Sequence, residues 1–585
     1  MRMIEKRWVI NKAVNQEGAD KLAASLKIDP VLAHLLVLRG VPSFSEARDF
    51  FRPSLDNLHD PFLMKDMDVG IERILQAMEH NEPILVYGDY DVDGTTAVAL
   101  TYALLKDFYP NLDYYIPDRY SEGYGISTKS IDYAHARGVK LMISLDCGIK
   151  AYNQIAYAKS KGIDFIVIDH HRPGEELPEA YAIIDPKQDD CPYPYKELSG
   201  CGLGFKLAQA FYQKTDKPFH NLEKFLDLVV VSIAADIVPI TGENRLLAYY
   251  GLRRLNLDPR PGLESILFYS NIFRKSVTDE RTAFTKEIGI TDLMFLVGPK
   301  INAAGRIKSG KKAVDLLLCQ EMKETHELSE VINDNNTERR SLDTEITRQA
   351  LKMIATNPEL KESKFTVLFN PGWHKGVIGI VASRLIENYY RPTIILTESN
   401  GLITGSARSV KDFDIYDAID ACSDHLEHFG GHKYAAGLSL KPEKLEAFTQ
   451  AFAEEVESTI TDDLLIPEVA IDAELKFDQI DGKFFRILKQ FSPFGPGNPN
   501  PGFITRSCVT RGQARVVGNK HLKFTVIQPG ISQQEFSAIA FQQGHYLNQM
   551  LSGKPFDLVY QIEENEWNGK TSLQLNVKDI KFPDV

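Results

Sequence analysis

The chain has 585 residues, 43% hydrophobic and 25% charged, with a formal net charge of −13. Those values suit a globular protein of three or four domains, and no run of about 18 apolar residues offers a membrane span. The N-terminus, MRMIEKRWVI, lacks the apolar stretch of a secretion signal, and six scattered cysteines without a CxxC pair argue against a zinc cluster or disulfide framework, so cytoplasmic residence is expected.

From Pro83 to about Asp185, short apolar runs alternate with amphipathic stretches. PILVYGD, LDYYIPD, KLMISLDCG, DFIVIDHH and AYAIIDP read as strands. TTAVALTYALLKDFY, STKSIDYAHARG and AYNQIAYAKSKG read as helices. The alternation predicts parallel βαβ units and a doubly wound sheet. Helical segments follow, then a polar run from Glu321 to Ala355 without Pro or Gly, which predicts one long connector helix. A second α/β pattern starts at KFTVLFN. From about Ile466 short strands and turns at Gly518-Asn519 and Asn568-Gly569 predict a small β-barrel. The expected divisions are an N-terminal segment packed on the first lobe (1–60), a first α/β lobe (61–310), the connector (311–355), a second, smaller α/β lobe (356–460) and the barrel (461–585).

The run GDYDVDG sets Asp89, Asp91 and Asp93 at alternate positions before Gly94, the opening of a calcium-binding EF-hand loop. Such a loop needs a bidentate Glu at its twelfth position, and here that residue is Leu100. A strand precedes the run, where an EF-hand requires a helix. In an open parallel sheet, ligands bind beyond the carboxyl ends of the strands. Asp146 ends one further strand, and Asp169, His170 and His171 end another. A single Asp at a strand end is ordinarily a solvated loop residue or a helix cap. Three strands delivering acids and imidazoles to one edge need cations between them. Oxygen ligands with an imidazole suit Mn²⁺ or Mg²⁺, with Mn²⁺ the better match for a histidine.

At these residues the chain resembles the DHH phosphoesterase superfamily. GDYDVDG, SLDCG, VIDHH and AADIVP resemble its four motifs, and GPKINAAGR, WHKGVIGIVASRL, GSARS and FGGHKYAAGL resemble the further motifs of its RecJ branch, single-strand-specific DNA exonucleases. FSPFGPGNPNPGF resembles the segment leading into that branch's oligonucleotide-binding (OB) barrel. The resemblance implies a DHH lobe, a DHHA1 lobe and an OB-like barrel, and two metal ions sharing a bridging water or hydroxide. It implies Asp146 on both ions, Asp91 on the first, and Asp93, His170 and Asp236 on the second. Many relatives carry a histidine four positions before the second-to-last aspartate of motif one. Here that position is Tyr87, and Asp89 two residues later is taken as its substitute. His171 is expected to contact the scissile phosphate. Asp169 either orients a histidine or simply ends its strand. Two ions lower the pKa of a shared water and hold the attacking and leaving oxygens, so no nucleophilic side chain is required and Cys147 is read as a packed neighbour.

Arg119, Asn302, Arg306, His374, Ser406, Arg408, Gly430, Gly431 and His432 are the expected DNA contacts of the two lobes, since arginine grips phosphate with a planar fork and small neighbours let backbone amides approach an anion. In the barrel, residues 501–530 contain Arg506, Arg511, Arg515, Lys520 and Lys523 and no acid, a local +5 on an acidic chain. Phe503 and Phe524 lie among them, as stacking platforms or as barrel core. The RecJ-like reading predicts 5′-to-3′ degradation of single-stranded DNA by a monomer, served by a helicase or single-strand-binding protein. Rival readings are a DHH enzyme acting on short RNA, cyclic dinucleotides or pyrophosphate, and a scaffold that binds strands without cutting them.

Overall fold

A computed structural model describes residues 5–582 except 13–14, 120, 124, 278, 308 and 568–569; the side chains of 306–307, 566–567 and 570 also fall outside the described residues. The chain forms two compact units. The first is Arg52–Arg340 with Ser492–Pro499, and the second is Met1–Phe51, Ser341–Phe491 and Asn500–Val585. The first strand, β1 (Arg7–Ile10), is part of the second unit.

The first unit is built on β2 (Ile84–Gly88), α1 (Val92–Lys106), β3 (Leu112–Tyr115), α2 (Thr128–Ala136), β4 (Leu141–Leu145), α3 (Tyr152–Ser160), β5 (Asp164–Ile168) and β6 (Ala182–Ile184). The sheet order is β3-β2-β4-β5-β6 and every pairing is parallel. The chain steps from β2 to β3 on one side, then crosses back to β4 on the other. The strand order therefore reverses between β2 and β4, which places a ligand crevice at their carboxyl ends. Successive strand residues point to opposite faces. Ile84 and Val86 enter a core shared with α1, α4 (Gly200–Lys214) and α5 (Leu226–Ala235), whereas Leu85 and Tyr87 enter a second core with α2 and α3. With both faces covered, the strands read as unbroken apolar runs.

α6 (Gly298–Ile307) follows a single π-helical turn at Leu293–Val297. The connector expected over 311–355 is two helices, Lys311–Leu318 and then α7 (Met322–Thr356, 35 residues). Cys319 breaks them apart by adopting an extended backbone, φ −63° and ψ 133°.

In the second unit β7 (Thr366–Phe369), α8 (Ile378–Asn388), β8 (Thr393–Ser399), β9 (Leu402–Arg408), β10 (His428–His432) and β11 (Ala435–Leu440) give a sheet of order β10-β11-β9-β8-β7. The C-terminal part holds β12 (Glu468–Ile471), β13 (Ala473–Glu474), β14 (Phe503–Thr510), β15 (Arg515–Val517), β16 (His521–Gln528), β17 (Ser532–Ala540), β18 (Phe556–Trp567) and β19 (Lys570–Lys581). Pairings β14-β18-β19-β17-β16, closed by β14 against β16, make a five-stranded barrel. The β15–β16 turn carries Gly518 and Asn519 at φ 56° and 63°, the residue types that accept a left-handed turn. The expected turn at Asn568-Gly569 lies outside the described residues.

Of the N-terminal segment expected on the first lobe, residues 1–51 belong to the second unit instead. β1 pairs in parallel with β12, and the Trp8 indole donates to Asp579 at 2.7 Å. β1 thus covers backbone groups that β12 would otherwise leave unpaired at an edge. The end of the segment does meet the first lobe, where the His59 backbone N–H donates to Glu243.

Candidate functional site

The comb after β2 enters α1 at once. Asp91 caps that helix, its Oδ1 accepting from the Gly94 N–H at 3.0 Å. Gly94 has to be glycine, because a Cβ there would lie 2.5 Å from the Asp89 carbonyl oxygen. Asp93, in the first turn of α1, is gripped by two other helices. Its Oδ2 accepts from the Gly200 N–H (2.7 Å) and its Oδ1 from the Cys201 N–H (2.8 Å) and the Ser232 hydroxyl (2.7 Å). The carboxylate thus sits at the N-terminus of α4, where backbone donors and the helix dipole favour a negative charge. Asp146 follows β4 with φ 60°, a left-handed conformation that Asp tolerates better than most residues. A Cβ on Gly200 would lie 2.7 Å from the Asp146 Cβ, so the helix closes on the site only because that position is bare.

The strand ends bring two triads together. Asp93, His170 and Asp236 form one, and Asp146, His170 and His171 the other; within each, the ligand atoms lie within 4.8 Å of one another. The His170 Nε2 is 3.0 Å from Asp146 Oδ1 and 3.6 Å from both Asp93 Oδ2 and Asp236 Oδ2. Asp89 and Asp91 join neither triad. Asp89 is fully buried, and among the described residues neither of its carboxylate oxygens has a hydrogen-bond partner, nor does the buried His170 Nδ1. Buried acids without partners are costly, and a divalent cation among them would remove the cost. The donor set, carboxylate oxygens with one imidazole, fits such an ion.

Electrostatics report the same crowding. Burial, then the charge of Asp91, pushes Asp89 well above the carboxylate range; burial, then Asp93, does the same to Asp146, Asp236 and, less strongly, Asp91. Burial pulls the His170 imidazole down. Burial also acts downward on His171, but its hydrogen bond to Asp169 and the surrounding carboxylates raise it to about 9. Asp169 is lowered, its burial outweighed by that bond to His171. Its Oδ1 meets His171 Nδ1 at 2.7 Å and accepts from the backbone N–H of His170 and His171, while Oδ2 accepts from Ile149. Of the two roles weighed for Asp169, this geometry is that of an orienter, and the imidazole it holds is His171. Tyr87 points away from the site, buried against α2 and α3 with its hydroxyl on the Gly125 carbonyl. Cys147 is buried. The holders of Asp93, namely Gly200, Cys201 and Ser232, were not among the expected residues; a Gly-rich helix start after Leu198 and Ser199 was the signal available.

Arg119 lies over the Tyr90 ring, 5.2 Å from its centroid, and its charge acts on Asp89. Asn302 is half-buried on α6, and the Arg306 side chain lies outside the described residues. In the second unit, His374 precedes α8 and accepts from the Gly376 N–H. Ser406, Arg408, Gly430 and His432 fall on one face of the sheet, because Ser406 pairs with Gly437 and Gly437 with Gly430, while Arg408 pairs with Ala435 and Ala435 with His432. Small residues thus separate an arginine from a histidine across three strands. The Arg408 guanidinium donates to Ser406 Oγ at 3.1 Å, and Gly379 on α8 leaves room for both. Gly431, at φ 150°, would drive a Cβ to 2.3 Å from the Ala435 carbonyl.

The barrel's charge is smaller than the local sequence suggests. Arg506 pairs with Glu474 and Asp557, and Arg511 with Glu535, acids outside the 501–530 window. Arg515, Lys520 and Lys523 have no ion pair among the described residues, with Arg515 directly across from Lys523. Phe503 and Phe524 are barrel core, the reading that outweighed stacking for each of them: both face inward on β14 and β16. An exposed aromatic does exist nearby, Phe541, edge-on to His521 at 5.2 Å.

Family models match in the same order: the DHH family N-terminal domain over 83–233, the DHHA1 domain over 362–458 and the RecJ OB domain over 471–579. The single-stranded-DNA-specific exonuclease RecJ of Bacillus subtilis is 35% identical over 98% of this chain and 70% of its own length. Its counterpart in Salmonella typhimurium is 33% identical over 94% of this chain and 96% of its own. The crystal structure of Thermus thermophilus RecJ in complex with Mn²⁺ superposes with a TM-score of 0.83 at 26% identity, covering all of this chain and 81% of that one. With the three domain types in one order and a third of its residues shared along nearly a whole relative, this chain belongs to the RecJ family.

Proposed function

We propose that the protein is a two-metal phosphodiesterase that degrades single-stranded DNA from its 5′ end to mononucleotides, in repair and recombination. The carrying observation is the pair of acid–imidazole triads at the β2/β4 switch point, beside a fully buried carboxylate with no hydrogen-bond partner among the described residues. Asp93, His170 and Asp236 would hold one Mn²⁺ or Mg²⁺, and Asp89, Asp91 and Asp146 a second, with Asp146 reaching both. The ions supply charge neutralisation of the phosphodiester and a water of lowered pKa.

The chain's own groups set the geometry. Asp169 fixes the His171 ring through Nδ1, so Nε2 is the nitrogen that would donate to a phosphoryl oxygen. Gly200, Cys201 and Ser232 hold Asp93 in one orientation, which pre-organises its ligand oxygens. The Ser406–Arg408–His432 face and the Arg515–Lys523 pair are the proposed strand contacts, and a separate barrel favours a long polymer over a dinucleotide. A monomer in the cytoplasm, supplied with single strands by a helicase or single-strand-binding protein, completes the proposal.

A digestion time course with Mn²⁺ tests it, using single strands labelled at either end, matched duplexes and a short RNA. Early release of mononucleotide from the 5′ label with the duplex intact is expected. Preference for the short RNA would make the protein an oligoribonuclease, and tight strand binding without any cleavage would make it a scaffold.

A further inference from the structure

Asp236 is placed where a carboxylate has little reason to stay. It directly follows Ala235 at the C-terminus of α5, where the free carbonyls carry partial negative charge and disfavour an anion. It is the most open of the five acids. Among the described residues no hydrogen bond reaches its side chain, and the His170 imidazole stands 3.6 Å off. Asp93, by contrast, is gripped by three donors. The orientation of Asp236 therefore falls to its backbone. That backbone is strained at the next residue. Ile237 has φ 61°, and a β-branched residue in the left-handed region is an outlier. Helices that end in this conformation ordinarily take glycine there. Burial does not offset the strain, since Ile237 is 56% exposed. Strain of this kind persists only where the surrounding structure over-determines it.

The surrounding structure is a short strap, Ser492–Pro499. It is part of the first unit, although the chain on both sides of it belongs to the second. Its Pro496 carbonyl accepts from the Ile240 N–H at 2.6 Å, and the buried Arg245 donates to its Ser492 carbonyl at 3.2 Å. Contact with the loop after Ile237 is close because the strap is bare there. A Cβ on Gly495 would lie 2.6 Å from Ile240 Cγ1, and one on Gly497 2.9 Å from Thr241 Cγ2. The strap also holds its own shape. Gly495 and Asn498 exchange two backbone hydrogen bonds, at 2.9 and 3.0 Å, and the buried Asn498 amide donates to the Pro493 carbonyl at 2.8 Å. Within the loop, the Pro239 carbonyl accepts from the Tyr195 hydroxyl and the Asn244 amide. Residues 239–241 are thus clamped just past the strained turn.

We propose that Ser492–Pro499 is a positioning strap for Asp236. By clamping Pro239–Thr241 it imposes the left-handed turn at Ile237, and that turn keeps the Asp236 carboxylate beside Asp93 and His170, the triad that would hold one cation. Without the clamp Ile237 relaxes to negative φ and Asp236 turns out of the site. Gly495, Asn498 and Ile237 are positioning residues in this scheme, and none of them touches a cation. The assignment rests on the two-metal reading.

The test is isothermal titration of chelator-treated protein with Mn²⁺. Wild type is compared with Gly495→Ala, which drives the strap off Ile240, and with Asn498→Ala, which loosens the strap's turn. Each variant is expected to weaken one Mn²⁺ step by about 10–100-fold, the scale of losing a group that orients a ligand, and to leave the other step as it is. In an Asp236→Asn background the same changes should cost no further affinity, because the residue they act through is already gone. Ile237→Gly adopts the left-handed turn without being forced, so it should restore most of the affinity that Asn498→Ala loses. Equal weakening of both steps, or a loss undiminished in the Asp236→Asn background, would overturn the inference by showing that the strap acts on the fold at large. Unchanged titrations would overturn it as well. Wild type that binds no Mn²⁺ would overturn the two-metal reading with it, an outcome that the wild-type titration alone reveals. Should Gly495→Ala fail to fold, Asn498→Ala carries the test, since it removes one amide and adds no atom.

Discussion

Asp146→Asn should stabilise the metal-free protein while removing its response to metal. Asp146 is 2% exposed, and its carboxylate is crowded by Asp93, Asp91, Asp236 and Asp169. Two like charges 4 Å apart repel by about 4 kcal/mol at an effective dielectric of 20. Proton uptake relieves part of this in the metal-free state, since burial already pushes Asp89, Asp146 and Asp236 upward. A net gain of about 1–2 kcal/mol on removing one charge is therefore expected. At about 2–4 °C per kcal/mol for a domain of this class, the melting temperature should rise by about 2–8 °C. Asparagine is the right probe because it accepts the left-handed conformation at φ 60° as aspartate does, so backbone strain is unchanged. Metal works in the opposite direction. An ion at one hundred times its Kd stabilises wild type by about 2.7 kcal/mol, and the variant, lacking the carboxylate shared by both proposed ions, should gain much less. The assay is calorimetry on chelator-treated protein, repeated with Mn²⁺. A metal-free variant that melts no higher than wild type, together with an equal Mn²⁺ shift, would refute the reasoning.

Asp146→Ala should abolish cleavage and leave strand binding intact in a mobility-shift titration; retained cleavage would sink the two-metal assignment. Asp169→Asn removes the carboxylate that sets the His171 ring from 2.7 Å and puts an amide against the Ile149 N–H or the two histidine N–H groups, so kcat should drop about 10–100-fold with little change in strand affinity. In the barrel, Arg515→Ala and Lys523→Ala should each flatten the salt dependence of binding by about 0.7, whereas Arg506→Ala and Arg511→Ala, whose charges are already paired, should hardly change it. Glu243→Gln should destabilise the first unit by about 3–5 kcal/mol in a thermal melt, because Lys206, fully buried 3.2 Å away, would become an uncompensated cation; a decrease below about 1 kcal/mol would show the lysine to be neutral in the fold.

Local chemistry made the metal site readable. Leu100 at the twelfth position removed the EF-hand, and the apolar runs before Asp89, Asp146 and Asp169 put all three at carboxyl ends of strands. Facts that depend on distant segments were hidden. Asp93 is held by Gly200 and Cys201, more than 100 residues on, and Ser232 lies 139 residues away. Arg506 and Arg511 look unpaired in a window without acids because Glu474, Asp557 and Glu535 arrive from other strands. The β1–β12 pairing joins residues 461 apart, and a four-residue strand carries no signal of its partner. The polar run from Glu321 to Ala355 is α7 nearly end to end, but the wider connector drawn from 311 took in a second helix that stops before Cys319, since a lone cysteine is not a breaker by type.

The same division explains why the site is built as it is. Five acids on strand and helix ends repel one another, and each would swing toward solvent if it were free to do so. The fold blocks that escape by fixing them from outside the cluster. Asp93 is held by the start of α4, Asp91 by the cap of α1, His171 by Asp169, and Asp146 by a left-handed backbone pressed against Gly200. Asp89 is the exception, since its carboxylate is fully buried and has no hydrogen-bond partner among the described residues. Its two oxygens are thus the part of the site whose satisfaction falls to a cation, and Asp89→Asn should weaken Mn²⁺ binding more than any change to the holders. Isothermal titration with Mn²⁺ decides this: equal weakening by Ser232→Ala would mean that orientation, rather than the unpaired charge of Asp89, sets the affinity.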